Sequence, residues 1–350
     1  MHINNVSNLT NASSFRPTLL LYPPDSRELW FIIGILSIIT NSMLLFGISK
    51  AKIFRNLTTI IIGSSFVIGI LFGGIYVLPR FAIVGYRKWG LICSLLPVLG
   101  SSFLLNYNLH QCLICFDRLI AVNWPVLYKT TLSQHHYLIA IGMIWTSSLL
   151  VAIVPVLTFR PLQISDCILY SSDTTAEEIF LYLLFFGCIF FPITVIVTFY
   201  AYIFYVIYMR KRKINQTNAS ISPVQYSIIR RKTMYASIQM ATLTLVFLCM
   251  MLPYLLLFLI VRLRSVKLMS LPLYYFAQFS RYIAFAYPAI NPLLYAYFVE
   301  SIRDALFYRL KSWIYGHEET RSPPKNRYER ASSMNLQRLS LRLVQSPIHQ

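Results

Sequence analysis

Charge is what this chain has least of. Asp, Glu, Lys and Arg make up 12% of its 350 residues, about half the share of a soluble domain. Only 12 of those side chains are acidic, against 31 basic. With 57% hydrophobic residues, including 24 Phe and 24 Tyr, the composition points away from a water-soluble globule. Six cysteines are too few and too scattered for a disulfide-dense secreted scaffold. Four of them, Cys112, Cys115, Cys188 and Cys249, fall within apolar runs and read as small buried side chains. No catalytic constellation, phosphate-cradling Gly loop or metal-spaced cluster is visible, and His135-His136 is an isolated pair. The expectation is therefore no enzyme, no cofactor and no metal. The formal net charge of +19 is not a nucleic-acid signal either. Much of it lies in short segments between apolar runs and near the C-terminus, where it suits anionic lipid and acidic partners.

What the chain does have is long apolar runs. Seven are long enough to cross about 30 Å of hydrocarbon: Leu29 to Ile48, Leu57 to Leu78, Ile92 to Val122, Tyr137 to Phe159, Ile179 to Met209, Met234 to Val261 and Leu271 to Phe298. The fold class is all-α, a seven-helix transmembrane bundle in the lipid bilayer, and an odd count puts the termini on opposite sides. Lys and Arg set the orientation. With the N-terminus outside, the inner flanks hold 14 of them and the outer flanks 9. The leader agrees, carrying three sequons at Asn5, Asn8 and Asn11, which mark a glycosylated outer end. It lacks a basic start and an apolar core, so no cleavable signal peptide is expected. The sequons at Asn215 and Asn218 face inward and stay bare in this topology.

Four regions follow. Residues 1–28 form an extracellular glycosylated N-terminus and 29–298 the seven-helix domain. Residues 299–314 repeat apolar positions at three- and four-residue steps with bases between, as in a short amphipathic helix on the inner membrane surface. Residues 315–350 are polar and basic, a disordered cytoplasmic tail whose Ser332, Ser333 and Ser340 follow arginines as kinase sites do.

Two charged positions lie where apolar helix predominates. Asp117-Arg118 closes the third run at the inner face, and embedded ionisable residues are functional by default. Arg118 keeps its charge at any pH, so a switch built on it works by release from Asp117 rather than by deprotonation; the plain alternative is an interfacial salt bridge anchoring the helix. Arg281 is the full charge inside the seventh run, 11 residues before Pro292 and so about 16 Å toward the outside. With Gln278 one turn away, it either receives an anionic ligand group or is neutralised within the protein.

The order and spacing of short motifs across the seven runs resemble the rhodopsin-like family of G-protein-coupled receptors. The carriers are Asn41; Trp89 shortly before Cys93; Cys93 standing 25 residues before Arg118; and Asp117-Arg118-Leu119, the family's Asp-Arg-Tyr triplet with its last residue changed. Trp145, Pro192, Tyr200, Phe247, Pro253-Tyr254 and Asn291-Pro292-Leu-Leu-Tyr295 continue the series. The resemblance implies a plasma-membrane receptor, multi-pass, that turns extracellular ligand binding into activation of a heterotrimeric G protein, with arrestin and kinases as further partners at the tail. It implies that Asp117, Arg118, Tyr200, Asn291, Pro292 and Tyr295 form the activation switch, with both tyrosines directed toward Arg118. It also implies a Cys93–Cys167 disulfide and a pocket lined by Gly100, Leu104, Leu184, Met251, Tyr254, Phe258, Gln278, Arg281 and Phe285.

The departures narrow the ligand. Gly100 stands where aminergic members carry the aspartate that pairs an ammonium, and Phe285 where an opsin carries its Schiff-base lysine. The second helix lacks the family's sodium-binding aspartate, with Ser65 or Phe66 expected there, so sodium regulation is not expected. Asn106, Asn108, His110 and Gln111 on the third helix offer replacement hydrogen bonds. Met251 replaces the usual tryptophan and Thr233 an acid that locks the arginine, which together imply raised ligand-free signalling. An anionic ligand remains, a neuropeptide or another molecule with a carboxylate or phosphate. A chemosensory receptor for a small molecule and a signalling-silent decoy are the alternatives. A transporter would show paired embedded charges along a pathway, and none is evident.

Overall fold

A computed structural model describes residues 27–50, 57–82, 90–124, 128, 130–158, 175–216, 224–263, 271–299 and 302–304. Among the described residues there is no strand. Helix α1 spans Arg27–Lys50. Helix α2 spans Leu57–Leu71 and runs on as π-helical Phe72–Ala82. Helices α3 and α4 span Gly90–Asn123 and Gln134–Thr158. Helix α5 joins Thr175–Leu183, π-helical Leu184–Phe190 and Phe191–Gln216. Helices α6 and α7 span Val224–Leu263 and Leu271–Phe298. Each of the seven apolar runs thus lies on helix over its described residues. The longest extension is that of α6, which starts at Val224 and carries Arg230, Arg231 and Lys232 as a basic prolongation of the span.

Among the described residues, stretches on α1, α2, α4, α5 and α6 are long and apolar enough to cross a membrane. Helix α3 carries Asn106, Asn108, His110, Gln111, Asp117 and Arg118 as buried polar groups, and it packs against α2, α4, α5 and α6, so they meet protein rather than lipid. The distribution is inverted relative to a water-soluble protein. Phe46, Met143, Leu157, Phe191, Leu245 and Phe279 face outward, while Asn41, Asn106, His110, Gln111, Asp117 and Asn291 are buried. Among the residues expected to form the amphipathic eighth helix, only 299 and 302–304 are described; 302–304 are helical, with Ile302 packed into the cluster of Leu44 and Ile48.

Helices α1, α2 and α7 approach closely because small residues meet there. The Ser37 hydroxyl donates to the Gly69 carbonyl at 2.8 Å, and a side chain at Gly73 would strike the Gly34 carbonyl. Asn41 holds α7 through a defect that proline creates. Pro292 has no N–H, so the Pro288 carbonyl one turn earlier lacks its helical donor. The Asn41 amide supplies one, donating to Pro288 O at 2.8 Å and to Ser37 O at 2.7 Å. Beside it, Thr40 donates to Ala289 O at 3.0 Å. Replacing Asn41 by Ala strips the freed carbonyl of its donor and is expected to cost about 1–3 kcal/mol. Thermal denaturation of the detergent-purified protein reads this, and an unchanged midpoint would show that Asn41 does not carry the α1–α7 contact.

Candidate functional site

The acid that ends the long apolar stretch of α3 is buried under hydroxyl groups. Asp117 is fully excluded from solvent and Arg118 nearly so. Arg118 Nε donates to Asp117 Oδ2 at 2.9 Å, and its terminal nitrogen bonds both that oxygen and the Thr58 hydroxyl. Thr58 on α2 in turn donates to Oδ2 at 2.8 Å. The other carboxylate oxygen accepts Tyr128 at 2.9 Å, from the segment after α3, and Tyr137 at 2.7 Å, from the first turns of α4. Burial and the neighbouring carboxylate charge push the Tyr128 phenol up to about 12, so it remains a donor throughout the physiological range. Asp117 is thus held by its own helix, by α2, by α4 and by the segment between α3 and α4. The guanidinium, by contrast, hydrogen-bonds Asp117 and Thr58 alone among the described residues.

The remaining switch residues form a second arrangement deeper in the bundle. Tyr200 on α5 does not reach Arg118 with its hydroxyl, which meets Thr244 on α6 at 3.2 Å. Tyr295 is buried with its ring edge-on to Phe66, centroids 5.9 Å apart. Asn291 accepts from Tyr287 at 2.9 Å, and Pro292 acts through the carbonyl it frees for Asn41. Helix α2 meets Asn41 at Gly69, where a side chain would collide with the Asn41 amide. Of the two residues expected at the family's sodium-aspartate position, Ser65 turns its hydroxyl onto the Ile62 carbonyl and Phe66 faces Tyr295. His110 joins α3 to α2 and α4. Ser64 Oγ accepts from Trp145 Nε1 at 3.1 Å and lies 2.9 Å from His110 Nε2, while Nδ1 lies 2.9 Å from Asn106 O. A neutral ring with its proton on Nδ1 satisfies all three bonds, with Ser64 donating to Nε2.

The opposite half of the bundle is aromatic. Trp30, Phe72, Tyr76, Phe103, Met251, Leu255 and Phe285 form one buried cluster between α1, α2, α3, α6 and α7. Arg281 is buried at its edge. Its terminal nitrogen donates to Gln278 Oε1 at 2.6 Å, and its guanidinium lies over Trp30 at 5.1 Å and Phe81 at 5.6 Å. Tyr254 packs edge-on to Phe285 at 5.7 Å, and Leu104 lies against the same cluster. Leu184 is buried on α5, apart from that cluster. Gly100 is tied to Tyr76, whose hydroxyl occupies the space a side chain at 100 would need. The Phe258 and Cys93 side chains, Cys167 and the sequons at Asn5, Asn8 and Asn11 lie outside the described residues.

Sequence reasoning missed four participants. Arg80, counted there among the outer flanking charges, is buried on the π-helical part of α2 beside Phe81. A basic residue one step from Pro79, just past the end of an apolar run and followed by Phe81-Ala82-Ile83-Val84, was the available signal. Tyr137, Thr58 and Thr244 carried none, because a lone hydroxyl in an apolar helix commonly bonds its own backbone.

Residues 40–295 match the 7 transmembrane receptor (rhodopsin family), and the chain belongs to that family. It is a multi-pass membrane receptor, not an enzyme. Relatives include the human D(1B) dopamine receptor, 27% identical over 37% of this chain and 26% of the receptor. The 5-hydroxytryptamine receptor 1A-beta of Takifugu rubripes is 24% identical over 66% of this chain and 59% of its own length. The alpha-1A adrenergic receptor of Canis lupus familiaris is 27% identical over 36% and 42% respectively. The chain spans less than two thirds of the length of each.

The Tyr76–Gly100 contact makes a stability prediction. Gly100→Leu must displace the Tyr76 ring and is expected to cost about 1–3 kcal/mol. Adding Tyr76→Ala should recover part of that loss in the same thermal assay. A double variant no more stable than Gly100→Leu alone would show that the two positions do not share this space.

Proposed function

We propose that this protein is a plasma-membrane receptor, N-terminus outside, that converts binding of an extracellular ligand with an anionic group into nucleotide exchange on a heterotrimeric G protein. The observation that carries the signalling half is the Asp117–Arg118 pair. An arginine buried at the end of α3, paired to one carboxylate that three hydroxyls hold in place, is a charge that can be released as a unit toward a partner. The ligand half rests on charge. Arg80 and Arg281 are two positive charges buried in the half of the bundle opposite Asp117, and Arg281 lies against the aromatic cluster at Trp30 and Phe81. A carboxylate or phosphate suits such a wall, and the aromatic cluster offers its apolar part a surface to pack on.

The named relatives respond, by name, to dopamine, 5-hydroxytryptamine and adrenergic agonists. A monoamine does not fit this chain, because Gly100 offers no carboxylate for an ammonium and Tyr76 fills its place. A neuropeptide is favoured over an environmental small molecule by the basic outer flanks at Arg262, Arg264 and Lys267. Arrestin and kinases acting at the serines of 315–350 complete the reading.

The test is G-protein activation in cells expressing wild type, Arg281→Gln or Arg118→Ala at matched surface levels, challenged with pooled peptides and pooled organic anions. One pool should activate the wild type, with the response lost in Arg118→Ala and its half-maximal dose raised at least tenfold in Arg281→Gln. A response that Arg281→Gln keeps at unchanged dose would contradict the anionic contact, and one that Arg118→Ala keeps would contradict the switch.

A further inference from the structure

Five buried polar side chains on four helices form one hydrogen-bonded chain. Tyr200 on α5 lies 3.2 Å from the Thr244 hydroxyl on α6. Thr244 donates to Gln111 Oε1 on α3 at 3.4 Å. Gln111 Nε2 donates to the Tyr287 hydroxyl on α7 at 3.2 Å, and Tyr287 donates to Asn291 Oδ1 at 2.9 Å. With Tyr200 donating to Thr244 and Thr244 to Gln111, the donors run one way to Asn291, and each bond polarises the next. All five residues are at most 7% exposed, and in such surroundings an unmade bond is not replaced by water.

One link differs from the others. Thr244 has a single hydroxyl hydrogen and two acceptors, Gln111 Oε1 at 3.4 Å and the Met240 carbonyl of its own helix at 3.0 Å. The contact between α3 and α6 is therefore the longest in the chain. It is also the one whose donor has an alternative that travels with α6. If α6 moves away, Thr244 keeps a bond to Met240, and the lost partner falls on Gln111. The other side of Gln111 remains attached to α7 through Tyr287.

We propose that Gln111 is a positioning residue of the receptor switch, holding α6 against α3 and α7 through Thr244 and Tyr287 while Arg118 is paired with Asp117. It keeps the Tyr200 hydroxyl engaged at Thr244, away from the guanidinium. The proposal rests on the receptor reading above for its signalling consequence, but not for its structural one. Gln111→Leu removes the hub while keeping a side chain of similar length. Thr244→Val removes the hydroxyl at almost constant shape, and Thr244→Ser keeps it.

An interhelical hydrogen bond in a membrane protein contributes modestly, so Gln111→Leu and Thr244→Val should each raise ligand-free nucleotide exchange about threefold at matched surface level. Thr244→Ser should match the wild type. The double variant should exceed neither single one, because both break the same link. Equal or lower ligand-free exchange in both single variants, or a double variant equal to the product of the two, overturns the proposal. If no variant, wild type included, supports exchange on any G protein, the receptor reading fails by itself. Amide hydrogen exchange of purified protein over residues 237–250 then decides about Gln111. Faster exchange in Gln111→Leu and Thr244→Val, with Thr244→Ser unchanged, supports the positioning role, and identical exchange in all four proteins overturns it.

Discussion

A carboxylate cannot be buried without partners, and Asp117 is the place where this bundle meets that constraint. Leaving such a charge unpaired costs several kcal/mol, so its surroundings must converge on it. Arg118, Thr58, Tyr128 and Tyr137 do so from α3, α2, the segment after α3 and the start of α4. The convergence fixes how three helices sit at this end of the bundle. It also loads one guanidinium against one acid in a site from which water is excluded, the condition under which a charge pair is strong and its rearrangement abrupt. The hydroxyls stabilise the acid more than the base, so release of Arg118 leaves Asp117 with three bonds still in place. That asymmetry makes the pair suited to switching.

The fold was legible because lipid demands apolar runs of a certain length, and each run lies on a helix over its described residues. Helix α7 was found by length and motif although Gln278, Arg281 and Asn291 interrupt its apolar run. Some of the positions that make polar contacts were legible too: Asp117 pairs with Arg118, Asn291 accepts from Tyr287, and Asn41 bonds the carbonyl that Pro292 frees. What could not be read was where hydroxyl hydrogens go. Tyr200 and Tyr295 were directed at Arg118 by resemblance, whereas the hydroxyl of one meets Thr244 and the ring of the other meets Phe66. Nor could the α2 neighbour of Asn41 be read, since the sequence of α2 offers small and apolar residues with no mark that singles out Gly69.

The departures from the family pattern read differently once their neighbours are known. A missing acid near the start of α6 and a methionine in place of tryptophan imply a loosely held resting state. The structure adds restraints those residues do not show, a tyrosine from α4 on Asp117 and a glutamine in the middle of α3. Gly69 and Gly100 are likewise each occupied by a neighbour, Asn41 and Tyr76. At both positions a larger group from the facing helix takes the space beside the glycine, so the bundle stays filled.

The most direct measurement is ligand-free nucleotide exchange on heterotrimeric G protein by purified receptor in which Asp117 is replaced by Asn. The substitution keeps the shape and the oxygen that Tyr137 and Tyr128 bond, and removes the charge that holds Arg118. Exchange several-fold above the wild type, abolished again by adding Arg118→Ala, is the predicted result. Exchange at the wild-type level, with the variant folded and at equal concentration, would contradict the account that this pair restrains the receptor.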